Sequence, residues 1–241
     1  MRYQWATATH KGRVRANNQD SVHPAAAGSS DDVALLIVAD GMGGHVAGEV
    51  ASRIAIDAAL DFHGRAPGLD VGVSERVDAA NRAILAEVAR RPELAGMGTT
   101  ITMVELHPTG VGIFAHVGDS RAYLLRDGTL RQLTEDHTIV NEYLRSGKIT
   151  EDQAAEHPQR HMITRALGLI PDVEVDVFDL ELASGDRLLL CSDGVNGMID
   201  DASIRQALLT PTAEEAVWEL VERANGAGGH DNVTAVVVDV A

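Results

Sequence analysis

The sequence predicts an α+β domain in which antiparallel sheets and helices form separate layers. Segments with β-strand character follow one another as hairpins, and segments with helical spacing are grouped between them. No internal repeat, low-complexity linker or composition change divides the 241 residues. We therefore expect a single domain that covers residues 1–241.

The first part of the chain predicts two strands and two helices. YQWATATHKG alternates weakly and predicts a strand, and RVRANNQDSVHP predicts a polar loop. VALLIVAD has the length and β-branching of a buried strand. Apolar residues at helical spacing predict a helix from Ala47 to Phe62 and a second helix through Val73 and Val88, which Pro92 ends.

The second part of the chain predicts hairpins, a polar helical region and a final helix and strand. GTTITMVEL and VGIFAHVGD form one hairpin, and RAYLLRDGTLRQLT forms another with Asp127 and Gly128 in its turn. Helical stretches follow at about 136–147 and 150–157. The remaining segments predict two strands, a helix and a closing strand: VEVDVFDLEL, DRLLLCSD, AEEAVWELVERANGAG and NVTAVVVDV.

The charge balance argues against two classes of partner. Lys and Arg number 20 and Asp and Glu number 36, which gives a formal net charge of -16. Nucleic acids and anionic membranes both need a basic surface, so we expect neither as a partner. Two explanations of the acidity stay open, namely a self-repelling soluble surface and carboxylates gathered around metal ions.

The number of cysteines and the length of the apolar runs indicate the cellular compartment of the chain. Cys191 is the single cysteine, so an internal disulfide is impossible, and its position in LLLCSD predicts a buried reduced thiol. No apolar run approaches the ~18 residues of a membrane span. The N-terminus has no apolar segment typical of a signal peptide. We expect a cytoplasmic chain, either complete or the soluble part of a longer protein.

Four aspartates share one local context. Asp40, Asp119, Asp193 and Asp231 each lie at the end of a predicted strand, beside a glycine or another small or polar residue. Strand ends of one sheet can meet at one edge, and carboxylates gathered there repel one another unless a cation neutralises them. Oxygen ligands suit Mg²⁺ or Mn²⁺, and Gly41 leaves its carbonyl accessible. The alternative is that Asp-Gly at a strand end, as at 40–41 and 193–194, only forms a turn.

Eight sequence motifs occur in a fixed order along almost the whole chain. They are GRVRANNQDS, VADGMGGHVAGE, GTT, AHVGDSRAYLLRDG, LTEDHT, ITRALG, LLLCSDGV and GHDNVTAVVV. In these motifs the chain resembles the PPM-type metal-dependent Ser/Thr protein phosphatases, the protein phosphatase 2C family, in its bacterial form. The resemblance implies a β-sandwich of two antiparallel sheets flanked by helix pairs, with divalent ions at one edge.

The resemblance also implies a set of metal ligands. Asp40 would bridge two tightly bound Mn²⁺ or Mg²⁺ ions, and the Gly41 carbonyl would bind one of them. Asp193 and Asp231 would hold the other ion. Asp119, together with Asp193, would match the third, weaker site of bacterial members.

Further residues take catalytic roles by the same resemblance. Arg15 would bind the substrate phosphate with its planar fork. Asp20 and Asn232 would order metal-bound water, and His45 is a candidate general acid. Gln19 stands where many members have Glu, so we expect weaker binding of one metal.

A segment at about 134–164 resembles the flap of bacterial members. Thr164 and Arg165 follow this flap and are predicted to touch the phosphopeptide. His137 and His161 are predicted to be structural or surface residues.

The activity implied is hydrolysis of phosphoserine and phosphothreonine monoesters through a metal-activated water. The expected partners are phosphorylated proteins, including Ser/Thr kinases and their substrates, and the expected state is a monomer. Two other hypotheses stay open: a catalytically silent binding module on the same fold, and an unrelated Mg²⁺-dependent phosphohydrolase of small metabolites. Hydrolysis of para-nitrophenyl phosphate would distinguish a protein phosphatase from the silent binding module. A preference for phosphothreonine peptides over sugar phosphates would distinguish it from the metabolite phosphohydrolase.

Overall fold

Two antiparallel sheets lie face to face in the computed structural model, which describes residues 1–43, 47–62, 69–155 and 157–241. Within these residues, the first sheet has the strand order β3-β1-β12-β11-β8-β9 and the second has the order β10-β7-β6-β4-β2, with β5 paired to the end of β4. The strands are β1 (Tyr3–His10), β2 (Asp20–His23), β3 (Gly28–Ser30), β4 (Ala34–Met42), β5 (Gly98–Thr99), β6 (Ile101–Leu106), β7 (Val111–Val117), β8 (Arg121–Arg126), β9 (Thr129–Gln132), β10 (Asp176–Glu181), β11 (Arg187–Cys191) and β12 (Val233–Val240).

Helices cover the outer faces of both sheets. Helices α1 and α2 contact the second sheet, and α6 and α7 contact the first. The predicted class, a two-sheet sandwich between helix pairs, is confirmed. The helices are α1 (Ala47–Leu60), α2 (Leu69–Arg90), α3 (Ile139–Arg145), α4 (Glu151–Ala155), α5 (Asp193–Asn196), α6 (Asp201–Leu208) and α7 (Ala213–Gly226), and Pro92–Leu94 form a 3-10 turn.

The apolar run of β4 is explained by burial on both faces of its sheet. Leu36 and Val38 pack in the core between the two sheets, whereas Ile37 and Ala39 pack in the core beneath α1 and α2. Successive side chains of a strand point to opposite faces, so a strand covered on both sides is apolar throughout. This double burial fixes the strand that carries Asp40.

The structure differs from the predicted elements at a few points. Asp20–His23 form β2 inside the segment predicted as a loop, because they pair with β4. Strand β4 extends two residues past Asp40, because Gly41 and Met42 pair with β5. Helix α6 was not predicted, although Asp200 caps it by accepting a hydrogen bond from the Ser203 amide.

Several predicted features are confirmed. Helix α2 ends at Arg90, before Pro92, and buries Val73 and Val77. Asp127 and Gly128 both have positive φ, as the tight hairpin turn requires. Cys191 is fully buried, and burial raises the pKa of its thiol to about 12. Among the described helices, none combines the length and apolar character needed to cross a membrane.

Candidate metal centre

The four aspartates predicted as metal ligands line one cavity. This cavity has a volume of about 610 Å³ and lies at one end of the sandwich, between the two sheets. Asp40 and Asp119 come from strands of the second sheet, and Asp193 and Asp231 flank strands of the first. Gly41 and Arg15 also line the cavity. The predicted meeting of strand ends is present, but the ends come from both sheets and not from one.

Asp40 is held through its backbone. Its N–H donates to Thr100 Oγ1 at 3.0 Å, and its carbonyl accepts from the Thr100 N–H at 2.9 Å. Strand β2 places Asp20 directly opposite Asp40. The buried carboxylate of Asp20 therefore lies beside Asp40. Ser192 Oγ donates to Asp20 Oδ2 at 2.8 Å.

The two ligands of the first sheet are brought together by a glycine. Asp193 is the first residue of α5, immediately after β11, and Asp231 precedes β12. A Cβ at Gly194 would overlap the carbonyl oxygen of Asn232. Only glycine lets the start of α5 approach the start of β12 this closely, and the approach places Asp193 beside Asp231.

Repulsion and burial raise the pKa of the carboxylates in this cluster. Burial raises the pKa of Asp40 well above its ordinary value, and the charges of Asp20 and Asp193 raise it further. Burial and the charge of Asp193 raise the pKa of Asp119 to about 7. Burial also raises the pKa of Asp20 to about 7, although hydrogen bonds from the hydroxyl groups of Thr234 and Ser192 lower it. Burial and the charge of Asp231 raise the pKa of Asp193.

These residues fit a pair of hard divalent cations. The Oδ1 atoms of Asp20 and Asp193 are buried and have no hydrogen-bond partner among the described residues. No set of three His, Cys, Asp or Glu side chains in the described ranges is already arranged around a single point. Mg²⁺ keeps several water ligands and binds few protein carboxylates, so it needs no preformed cage of this kind. The unsatisfied oxygens, the raised pKa values and the shared cavity suit such an ion.

Arg15 lies at this cavity and donates from Nη2 to Asp231 Oδ2 at 2.6 Å. Its side chain is 53% exposed, which leaves guanidinium surface open to solvent. Asn232 ties the Arg15 loop to β12: its Nδ2 donates to the carbonyls of Lys11 and Asn17, and its Oδ1 accepts from the Gln19 N–H at 2.7 Å. The Asn232 amide thus positions the loop that carries Arg15.

Two further predicted residues are placed as follows. Gln19 lines the cavity, and its Nε2 donates to the Gly43 carbonyl at 3.2 Å. His45, the candidate general acid, lies outside the described residues.

The predicted substrate residues after the flap are not among the residues that line the cavity in the described part of the chain. Thr164 is not among the described lining residues, and Arg165 forms ion pairs with Glu174 at 2.9 Å and Asp176 at 3.0 Å. Arg160 and His161 line the cavity instead. The basic cluster in the segment HPQRH, within an acidic chain, is the sequence feature that could have identified them.

His137 has the surroundings of a structural residue. It is buried, its Nδ1 accepts from the Gly118 N–H at 3.1 Å, and its Nε2 lies 3.1 Å from Asp176 Oδ2. This agrees with its predicted structural role.

The protein is thus a two-sheet sandwich with an acidic cavity whose residues suit divalent cations. Residues 8–228 match the family Protein phosphatase 2C. The chain belongs to this family, which confirms the predicted resemblance.

Named relatives extend the match. The chain is 45% identical over 239 residues to the serine/threonine protein phosphatase PstP of Mycobacterium tuberculosis. This alignment covers 98% of the present chain and 45% of that protein. The chain is also 37% identical over 238 residues to the serine/threonine phosphatase stp of Listeria innocua. That alignment covers 96% of the present chain and 93% of the relative. The chain thus spans less than half of the first relative and nearly all of the second.

Solved structures show the same architecture. The crystal structure of Mycobacterium tuberculosis PstP/Ppp superposes with a TM-score of 0.91 at 43% identity, and the alignment covers 100% of this chain and 99% of that one. The catalytic domain of PstP in complex with two manganese ions superposes with a TM-score of 0.88 at 42% identity and covers the same shares. The manganese ions belong to that relative.

Proposed function

We propose that this chain is a metal-dependent protein serine/threonine phosphatase that hydrolyses phosphoserine and phosphothreonine monoesters. The observation that carries the proposal is the cluster of buried carboxylates with raised pKa values, which shares one cavity with an exposed arginine. Membership of the protein phosphatase 2C family and the names of its relatives support it.

The metal sites follow from the carboxylate cluster. Asp40 would bridge two Mn²⁺ or Mg²⁺ ions, the Gly41 carbonyl would bind one ion, and Asp193 and Asp231 would hold the other. Asp119 would help Asp193 to hold a third, weaker ion. When bound, such cations lower the pKa of a water molecule and offset the charge of the phosphoryl group. The two manganese ions in the PstP structure support this assignment.

Arg15 binds the substrate phosphate. Its guanidinium already binds a carboxylate oxygen of Asp231 at 2.6 Å, and phosphate oxygens accept the same fork of N–H donors. Asn232 holds the loop of Arg15 in place and, with Asp20, orders water at the metal pair. His45 remains our candidate for protonating the leaving alkoxide, and Thr164 and Arg165 remain candidates for contact with the phosphopeptide.

The 241 residues act as one catalytic domain with a flap at about 134–164. Its substrates are phosphorylated proteins, and it opposes Ser/Thr kinases. We place the chain in the cytoplasm, because its single cysteine is a buried free thiol that suits a reducing compartment. We further propose that it acts as a monomer.

A substrate panel tests the proposed activity. The purified chain is assayed with para-nitrophenyl phosphate, phosphothreonine peptides and sugar phosphates, each with Mn²⁺ and with a chelator. We expect Mn²⁺-dependent turnover, with kcat/KM higher for phosphothreonine peptides than for sugar phosphates. Absence of turnover with every substrate would support a silent binding module, and preference for sugar phosphates would support a metabolite phosphohydrolase.

A further inference from the structure

Thr100 lies between the two metal-binding aspartates of the second sheet. Asp40 lies in β4 and Asp119 follows β7, and β6 separates these two strands in that sheet. Thr100 directly precedes β6, is 2% exposed and lines the cavity. A residue in this position can contact the chain on both sides.

On one side, Thr100 binds both backbone polar groups of Asp40. Its Oγ1 accepts from the Asp40 N–H at 3.0 Å, and its N–H donates to the Asp40 carbonyl at 2.9 Å. Thr99 Oγ1 also donates to that carbonyl, at 2.8 Å. The hydroxyl of Thr100 is therefore the side-chain group that accepts from the Asp40 amide.

On the other side, Thr100 contacts both neighbours of Asp119. Its Oγ1 lies 2.8 Å from Oγ of Ser120, which is fully buried. Its γ-methyl lies against Gly118, where a Cβ would come within 2.5 Å of Thr100 Cγ2. Gly118 has a φ of +115°, so its backbone also favours glycine.

We propose that Thr100 is a positioning residue that fixes Asp119 relative to Asp40 through the Thr100–Ser120 hydroxyl pair. It thereby sets the affinity for the third, weaker cation. The proposal rests on the function proposed above, in which Asp119 holds that cation. Buried hydrogen-bonded groups behind a ligand orient it, and their loss typically lowers metal affinity by 10–100-fold.

Three variants distinguish the hydrogen bonds of Thr100 to Asp40 from its hydrogen bond to Ser120. Ser120→Ala keeps both bonds between Thr100 and Asp40 and removes the link toward Asp119. Thr100→Val keeps the shape of the side chain and removes both hydroxyl bonds. Thr99→Val is the matched control, because it removes a neighbouring buried hydroxyl that, among the described residues, donates to the carbonyls of Asp40 and Thr100 and not to Ser120.

Mn²⁺ titration calorimetry and the Mn²⁺ dependence of turnover provide the main test. We expect Ser120→Ala to keep the affinity of the tight pair within about twofold and to raise the Mn²⁺ concentration for half-maximal turnover about tenfold. Thr100→Val should weaken both the pair and the third ion by about tenfold. Thr99→Val should leave both within about twofold.

Hydrogen exchange of the chelator-treated protein gives a readout that needs no metal. The Asp40 amide should exchange faster in Thr100→Val and at the normal rate in Ser120→Ala. An Asp119→Ala variant distinguishes the two proposals. If it loses the weak ion while Ser120→Ala and Thr100→Val keep normal Mn²⁺ dependence, the positioning role of Thr100 is overturned and the role of Asp119 stands. If Asp119→Ala also keeps normal Mn²⁺ dependence, both assignments fail.

Discussion

Asp186 and Asp193 lie at opposite ends of strand β11 and have opposite surroundings. Asp186 accepts hydrogen bonds from Arg126 Nε at 2.7 Å and from the Ala183 N–H at 2.8 Å. Burial opposes its ionisation, but these donors outweigh burial and lower the pKa of Asp186. The protein neutralises this carboxylate with its own arginine.

At the other end of β11, burial and the charge of Asp231 raise the pKa of Asp193. Within the described residues, no arginine is hydrogen-bonded to Asp193, Asp40 or Asp119. Arg15 donates to Asp231 instead. A buried carboxylate with its own cation needs none from solution, whereas a group of carboxylates without enough cations requires one. Pairing, and not the number of carboxylates, distinguishes the functional end of the sandwich.

Substitution of Asp40 should have the largest effect. Asp40→Asn removes the charge of the residue proposed to bridge the metal pair, so we expect turnover to fall on the order of 10³-fold or more. The increase in thermal stability that Mn²⁺ gives the wild-type protein should disappear with it. Calorimetric Mn²⁺ titration, thermal melts and steady-state kinetics measure these effects.

The matched control is Asp186→Asn at the neutralised end. It should lower stability, because Arg126 loses its partner, and leave the Mn²⁺ dependence of turnover unchanged. Normal metal stoichiometry and full turnover in Asp40→Asn would remove the central assignment.

Asp119→Ala should have the second largest effect. We expect the two tight ions to remain and turnover to fall on the order of 10²-fold, as for removal of one electrostatic contact in the transition state. Crystals soaked in excess Mn²⁺, examined by anomalous scattering, should lose a third peak beside residue 119. The competing explanation is that Asp119 only caps the turn before β8, in which case stability falls and turnover stays near the wild-type value.

Arg15→Ala should weaken substrate binding without loss of the metals. A charged hydrogen bond contributes about 1.5–3 kcal/mol, so KM should rise about 10–100-fold. Arg15→Lys keeps the charge without the fork and should give an intermediate KM. Loss of both tight metals in Arg15→Ala would instead assign this residue to support of Asp231.

Much of the fold could be predicted because its patterns are local. Helix α2 repeats its apolar positions at helical spacing, and the turn at Asp127 and Gly128 has a typical sequence. The short helix α5 could not be predicted in this way. It has four residues and depends on the close approach of Gly194 to Asn232, which no local pattern records.

The site shows the same division between local and distant information. Asp40 and Asp193 were predicted from the apolar strands that precede them. The bond of Arg15 to Asp231 joins residues 216 positions apart, and the family resemblance alone brought them to one site. Arg165 lies beside the flap in sequence, but Glu174 and Asp176 bind its guanidinium. Such distant partners decide where a long side chain points.

The stability of the protein in the absence of metal should depend on pH. Burial raises the folded-state pKa of Asp20 and Asp119 to about 7, whereas an unfolded aspartate has a pKa of about 3.9. Between about pH 4 and pH 7 the folded state therefore binds more protons than the unfolded state, and stability falls as pH rises through this window. Asp186 has a lowered pKa, so its contribution is lost only in more acidic solution, below about pH 4.

Thermal melts from pH 5 to pH 8, with a chelator and with saturating Mn²⁺, measure this difference. In chelator, the midpoint should fall as pH rises, by about 2–4 °C for each kcal/mol lost in a chain of this size. With Mn²⁺ the fall should vanish or reverse, because cations bind the ionised carboxylates and stabilise the folded state. Asp20→Asn should reduce the slope in chelator, whereas Asp186→Asn should leave it unchanged. A midpoint in chelator that is constant across this range would mean that these carboxylates ionise in the folded protein without cost, and the contrast between the two ends of β11 would not hold.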